Sequence, residues 1–304
     1  MDLQLLVEQA THFEEKVVAV AAAEDEEVID AVVQAVNFGI ASFKLFGEKE
    51  KITALLDEKQ SGISKHEKVE IIHAHSAPLA AELAVKSVRL NEADVLMKGN
   101  IPTAQILKAV LNKEYGLRTG SVLSHVAAFE VRGYDRLLFV TDAAMNIAPD
   151  LTQKAQIIQN AVDVARSLGV ETPKVAPLAA VEVVNPAMQA TLDAANLSQM
   201  CARGQIKNCI VDGPLALDNA VSLEAAHHKG IKSDVAGVAD ILVVPTIEVG
   251  NVLYKSLMYF ANAKVGAVIA GAKAPIVLTS RADSAESKLY SLALAVCSTA
   301  RKQK

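Results

Sequence analysis

"VGAVIAGAKAPIVLTSRADS", residues 265–284, holds two apolar runs separated by a short turn-like segment. Both runs are Val/Ile/Ala-rich without polar alternation, the pattern of strands covered on both faces. So short a link joins antiparallel neighbours, because a parallel crossover needs a dozen residues or more. The second run then ends in a hydroxyl and a guanidinium, Ser280 and Arg281, ahead of a helix-like stretch.

Working outward, similar apolar runs occupy 16–23, 41–46, 68–74, 93–98, 136–141, 174–180, 209–212 and 239–245. Amphipathic helical patterns lie between them, for example at 24–37, 77–90, 151–168 and 186–203. Alternation of this kind builds βαβ units on a mostly parallel sheet. With the terminal hairpin, the expected class is an α/β fold with a mixed sheet and helices on both faces. The pattern restarts near 132–135, "RGYD", which reads as a division between two domains. The last helical stretch carries Leu289, Leu292, Ala293 and Val296 on one stripe, able to cover either half.

Composition narrows the function. A chain of 304 residues with 51% apolar residues can build a sizeable core. Its net charge of −5 argues against nucleic acid, whose phosphates demand a basic stripe. The longest apolar stretch is broken by Lys273 and Pro275, so no membrane span is expected. The N-terminal stretch lacks a basic region and a cleavage-like site, so it does not read as a signal peptide. Cys201, Cys209 and Cys297 lack metal-ligand spacing and fit a reduced, cytoplasmic setting.

Ligands of open α/β sheets collect at the carboxyl ends of strands. There the chain places "MKGNIPT" (Lys98, Gly99, Asn100, Thr103), "TDAAMN" (Asp142), "DGPLALDNA" (Asp212 onward) and "LTSR"; "GLRTGS" adds Arg118, Thr119, Gly120 and Ser121. Each alone is also ordinary structure, since Gly99 and Gly120 permit turns and Asp142 or Asp218 caps a helix. Together, Lys98, Arg118 and Arg281 in an acidic chain point to an anion pocket, because helix N-termini and guanidinium forks favour phosphate. Neither a GxGxxG nor a P-loop motif supports a nucleotide. "HAH" at 73–75 lacks a local third ligand, so no metal is expected. His227-His228 reads as a solvated helix flank, and no G-x-S-x-G elbow is present. Without a cofactor motif or a covalent nucleophile, direct transfer between two bound substrates is the favoured chemistry.

"ADVLMKGNIPTAQIL" (93–107), "FVTDAAMNIAPD" (139–150), "VDGPLALDNA" (211–220), "SDVAGVADILVVPTIEVGNVLYKSL" (233–257) and "PIVLTSRADSAESKL" (275–289) resemble, in order, the phosphate acetyl/butyryltransferase family. The "MKG" and "LTSRADS" elements resemble its butyryl branch. The resemblance implies a two-domain α/β/α fold like that of isocitrate and isopropylmalate dehydrogenases. Its active site would occupy the interdomain cleft, with the last helix returning to the first domain. Domain I would be 1–133 plus 282–304, and domain II 134–281.

The implied reaction joins a short-chain acyl-CoA, butyryl or branched-chain, with phosphate to give acyl phosphate and free CoA in a ternary complex. Coenzyme A is a substrate, no cofactor is implied, and a homodimer or higher homo-oligomer is expected. Ser280 and Arg281 match the family's phosphate-gripping pair, and Arg118 the region holding CoA phosphates. Lys98, Gly99, Asn100, Thr103, Thr119, Asp142 and the Asn251, Tyr254 and Lys255 of "GNVLYK" complete the binding set. The carboxylate base that acetyl-specific relatives place six residues after the arginine is here Ser287. Asp283 is the nearest carboxylate, and serves either as the base or as a helix N-cap paired with Glu286. Alternative readings are a phosphate acetyltransferase, an acyl-carrier-protein-dependent acyltransferase and a non-catalytic acyl-CoA-sensing module.

Overall fold

The computed structural model describes residues 2–278 and 284–299. In chain order it begins α1 (Leu3–Ala10), β1 (Lys16–Ala21), α2 (Glu26–Phe38), β2 (Ala41–Gly47), α3 (Lys49–Lys59), β3 (Val69–His73), α4 (Ala77–Arg89), β4 (Val95–Lys98) and α5 (Thr103–Val110). Next come β5 (Ser124–Glu130), β6 (Leu138–Thr141), α6 (Leu151–Ser167), β7 (Lys174–Pro177), α7 (Gln189–Ala202), β8 (Ile210–Val211), α8 (Leu217–Val221), α9 (Leu223–His228), β9 (Ile241–Val243) and α10 (Ile247–Tyr259). The chain closes with β10 (Lys264–Ala270), β11 (Ile276–Val277) and α11 (Ala285–Thr299).

The chain forms two compact units, Leu3–Ser121 with the chain from Gly266 onward, and Val122–Val265. In the first, β3, β2, β1 and β4 lie side by side and parallel. The steps from β1 to β3 run one way and β4 returns beside β1, so right-handed crossovers put α4 on the face opposite α2 and α3. The carboxyl ends of β1 and β4 therefore flank a topological switch point, where such sheets bind ligands. β11 joins parallel to β4, and β10 pairs antiparallel with β11, as the hairpin pattern required.

α11 departs from the one-stripe expectation. Every residue from Lys288 to Cys297 is buried, and the helix packs against α1 and α2 as well as β11 and β4. A helix buried all round needs apolar neighbours on every side, and α1 supplies one with Leu3, Leu6 and Val7. Its N-cap is Ser284, whose hydroxyl accepts from the Ser287 N–H at 3.2 Å. Glu286 accepts from the Tyr290 hydroxyl at 2.7 Å. Asp283, the expected cap, lies outside the described residues.

In the second unit β6, β9, β7 and β8 are parallel. β5 pairs antiparallel with β6 through Ala127↔Val140 and Phe129↔Leu138. The "RGYD" segment is the turn of this hairpin, and the two units divide at Ser121–Val122 and again at Val265–Gly266. α6 opens with a capping box in which Asp150 and Gln153 satisfy each other's backbone N–H. Among the described residues no helix is long and apolar enough to cross a membrane.

Candidate active site

β4 is wholly buried and delivers Lys98 at its carboxyl end. The Lys98 ammonium donates to the Gly99 carbonyl at 3.2 Å. Beyond it the chain clasps the end of β1: Gly99 N–H donates to Ala21 O at 2.8 Å and Asn100 N–H to Ala22 O at 2.6 Å. A Cβ on Gly99 would lie 2.0 Å from Ala22 O, so only glycine allows this approach. Asn100 and Thr103 are exposed at the start of α5, which has no side-chain cap. This turn lies at the switch point and sets the exposed Asn100 beside a cation, its own backbone N–H groups being taken by β1.

One neighbour runs beside it. Val277 of β11 is in register with Met97, so Leu278, one residue further on, stands level with Lys98. β11 ends at Val277 and Leu278 is the last residue described after it; Ser280 and Arg281 lie outside the described residues. The Arg118 loop lies at the amino end of β11, away from Lys98, where it is held to the β10–β11 turn from both sides; the described structure does not bring it to the Lys98 turn. Lys273 N–H donates to Leu117 O at 2.8 Å, and the Thr119 hydroxyl to Gly271 O at 2.5 Å. Arg118 between these anchors is exposed. Thr119 is thus a tether of the loop, as its short bond shows.

The remaining expected residues belong to the second unit. Asp142 is buried after β6, and its carboxylate is taken up by its own loop. Oδ1 accepts from the Ala144 and Met145 N–H groups, each at 2.9 Å. Oδ2 accepts from Asn146 N–H at 3.1 Å and from its side-chain amide at 2.6 Å. Asp142 therefore orders "TDAAMN" through its own hydrogen bonds. In Asp142→Asn a side-chain N–H faces backbone donors, and stability should fall by about 2 kcal/mol, read from the urea midpoint.

α10 carries the "GNVLYK" segment across this loop. A Cβ on Gly250 would meet Asp142 O at 2.7 Å and Ala143 Cα at 2.9 Å. Tyr254 sets its ring edge-on to Phe129, with centroids 5.1 Å apart, and 5.9 Å from His125. Gly250 and Tyr254 thus seat the helix, whereas Asn251 and Lys255 are exposed.

Residue reading overlooked His125. It is buried at the start of β5, opposite the end of β6, where Thr141 donates to its carbonyl at 2.7 Å. It overlooked Lys288 too, a cation buried in the first turns of α11. Also unforeseen was the buried Lys154–Asp193 pair, 2.5 Å apart, lining a small recess at the ends of β7 and β9. A Lys interrupting an otherwise apolar helix was the available signal for Lys288; the others needed tertiary contacts. His73 and His75 are exposed, and among the described residues no group of three or more His, Cys, Asp or Glu could hold a metal ion.

The fold is a two-unit α/β arrangement with a buried lysine at a switch point of its first unit. The phosphate acetyl/butaryl transferase family model matches residues 64–296. The chain belongs to this family of acyltransferases. It is 60% identical over 299 residues to a Bacillus subtilis (strain 168) protein named "Probable phosphate butyryltransferase", covering 98% of each. A solved branched-chain phosphotransacylase from Enterococcus faecalis V583 is 37% identical with a TM-score of 0.82, covering 94% of this chain and 99% of that one. A 4-hydroxythreonine-4-phosphate dehydrogenase from Klebsiella pneumoniae, 10% identical, covers 94% of this chain and 100% of that one with a TM-score of 0.55, sharing the dehydrogenase-like fold alone.

Proposed function

We propose that this chain converts a short-chain acyl-CoA, butyryl or branched-chain, and inorganic phosphate into acyl phosphate and free CoA within one ternary complex. The observation that carries the reading is the parallel pairing of β11 with β4 in a member of this family. It sets the strand leading to the family's Ser-Arg pair beside the turn bearing Lys98, Gly99 and Asn100.

In this mechanism a phosphate oxygen attacks the thioester carbonyl, the tetrahedral oxyanion collapses, and the CoA thiolate leaves. Ser280 and Arg281 grip the phosphate, the guanidinium by a bidentate fork, and offset charge on the intermediate. Lys98, Asn100 and Thr103 line the anion site at the switch point, with Arg118 directed to CoA phosphates. Asn251 and Lys255 are the exposed binding candidates of α10, which Tyr254 seats. Asp283 is the proposed carboxylate base for the CoA thiol in the reverse direction. Ser284 already caps α11, which leaves no capping duty that requires Asp283. Ser287 is a poor base, and its N–H is committed to that cap.

The reaction needs no further cofactor, and it suits a homo-oligomer in the cytoplasm, where its free cysteines stay reduced. An acetyl-to-hexanoyl-CoA series, with isobutyryl-CoA, assayed with and without phosphate, tests the reading. The expected result is phosphate-dependent CoA release with a maximum at four carbons, straight or branched. Equal rates without phosphate would remove the assignment, and a maximum at acetyl would favour an acetyltransferase. Release only from acyl carrier protein would favour the carrier-protein enzyme.

A further inference from the structure

In the second unit β6, β9 and β7 end level, with Thr141 and Pro177 both in register with Val243. Ligands of parallel sheets gather at such carboxyl ends. The segment that leaves β7 there, residues 178–188, shows hydrocarbon to solvent at its middle. Val183 is 63% exposed and Val184 53%, and Pro186 and Ala187 beside them are exposed too.

The segment is fixed on both flanks of the two valines. On one side Glu182 Oε2 accepts from Asn219 Nδ2 at 3.3 Å and from Lys229 Nζ at 3.1 Å. On the other, Asn185 N–H donates to the hydroxyl of the fully buried Thr191 at 2.9 Å. That hydroxyl shares its proton between the Asn185 carbonyl at 2.9 Å and the Met188 carbonyl at 2.8 Å. Ala187 N–H donates to Asn185 Oδ1 at 2.9 Å. The acid and the backbone around Asn185 are thus taken up within the unit, and Val183 and Val184 are held outward between two anchors.

An apolar surface presented in this way marks a binding site, and its size says for what. Four small side chains, even fully covered, fall far short of the about 800 Å² that each partner buries in a specific protein contact. They match a chain of a few carbons. Glu182, the charge beside them, is already paired with Lys229. A neutral alkyl group therefore fits here better than a phosphate. In the transfer proposed above, the acyl chain is the part of the substrate with that chemistry.

We propose that Val183 and Val184 hold the alkyl chain of the acyl group and set the preference for its length. The assignment rests on the acyl-transfer reading and deepens it by naming where the acyl carbons bind. The fixed flanks serve this role, because a surface already in place needs no ordering when a short chain settles on it. Valine suits it too, since its branched side chain has few rotamers to lose.

Val183→Thr/Val184→Thr tests the site, because threonine keeps the shape of valine and replaces one methyl group with a hydroxyl. At exposed positions the change should leave the urea midpoint where it is. The ratio of kcat/KM for butyryl-CoA to that for acetyl-CoA, read at saturating phosphate, should fall about tenfold, as two methylene groups lose apolar contact. This ratio does not depend on the fraction of enzyme folded. Leu90→Thr, at an exposed position of the first unit, should leave it unaltered. A wild type without phosphate-dependent release from any acyl-CoA would overturn the transfer reading itself. An active wild type whose ratio is indifferent to the double variant would overturn the acyl site alone. An equal fall at every chain length would place the loop against the CoA portion common to all and overturn the site as well.

Discussion

Replacing Arg281 with Ala is expected to lower kcat/KM for phosphate-dependent CoA release by about three orders of magnitude. A guanidinium offers paired N–H groups to phosphate oxygens in a fixed plane and keeps its charge at every working pH. In the proposed transfer, the same group answers negative charge that moves onto the tetrahedral oxyanion. The two duties separate kinetically. Loss of ground-state grip alone raises the phosphate KM and leaves kcat intact, whereas loss of transition-state support lowers kcat. Arg281→Ala should do both, and Arg281→Lys should recover part of the binding while kcat stays low, because an ammonium lacks the fork. Steady-state rates with butyryl-CoA fixed and phosphate varied read both quantities. Near-wild-type turnover of Arg281→Ala at saturating phosphate would remove the arginine from the chemistry.

The strands were legible because buried parallel strands are written as unbroken Val, Ile, Leu and Ala, and β1, β2 and β4 show it. β5 was not. "SHVAAFE" follows a Gly/Ser-rich loop and begins with two polar residues, yet Ser124 and His125 are buried there. Nothing local announces that burial, since it comes from pairing with β6. Missing β5 made "RGYD" look like a boundary when it is a hairpin turn. α11 was read as one-sided because its stripe is visible in sequence, while the covering of its other faces depends on α1, distant along the chain.

At the site, the polar end of β4 could be read from position alone. Roles decided by orientation could not. Asp142 looks like a ligand residue in sequence, but its oxygens face its own loop. In "GNVLYK" the glycine and tyrosine look chemical and prove to be the seat of a helix. One-dimensional spacing shows which residues share a face. It does not show whether that face meets a ligand, the core or another chain.

Gly99→Ala should be the most damaging small substitution at the switch point. The added carbon would lie 2.0 Å from Ala22 O, 2.7 Å from Ala22 C and 2.8 Å from Ala21 O, all of them backbone atoms. Relief cannot come from rotating a side chain. Either the turn lifts away, breaking the bonds from Gly99 N–H to Ala21 O and from Asn100 N–H to Ala22 O, or the end of β1 shifts. Ala22 already sits at a positive φ of 57°, which leaves that segment little freedom to yield. The expected cost is about 3 kcal/mol. Gly120→Ala is the control, because Gly120 has φ +91 but nothing within 4 Å of the added carbon. Its cost is conformational only, about 1 kcal/mol. Urea denaturation separates the two, and activity per folded molecule adds the functional half. Gly99→Ala should lose phosphate-dependent turnover even where circular dichroism shows it folded, because lifting the turn displaces Lys98 and Asn100 together. Equal stability of the two variants would show that the switch point yields without strain, and the turn would lose its place as the rigid floor of the anion site.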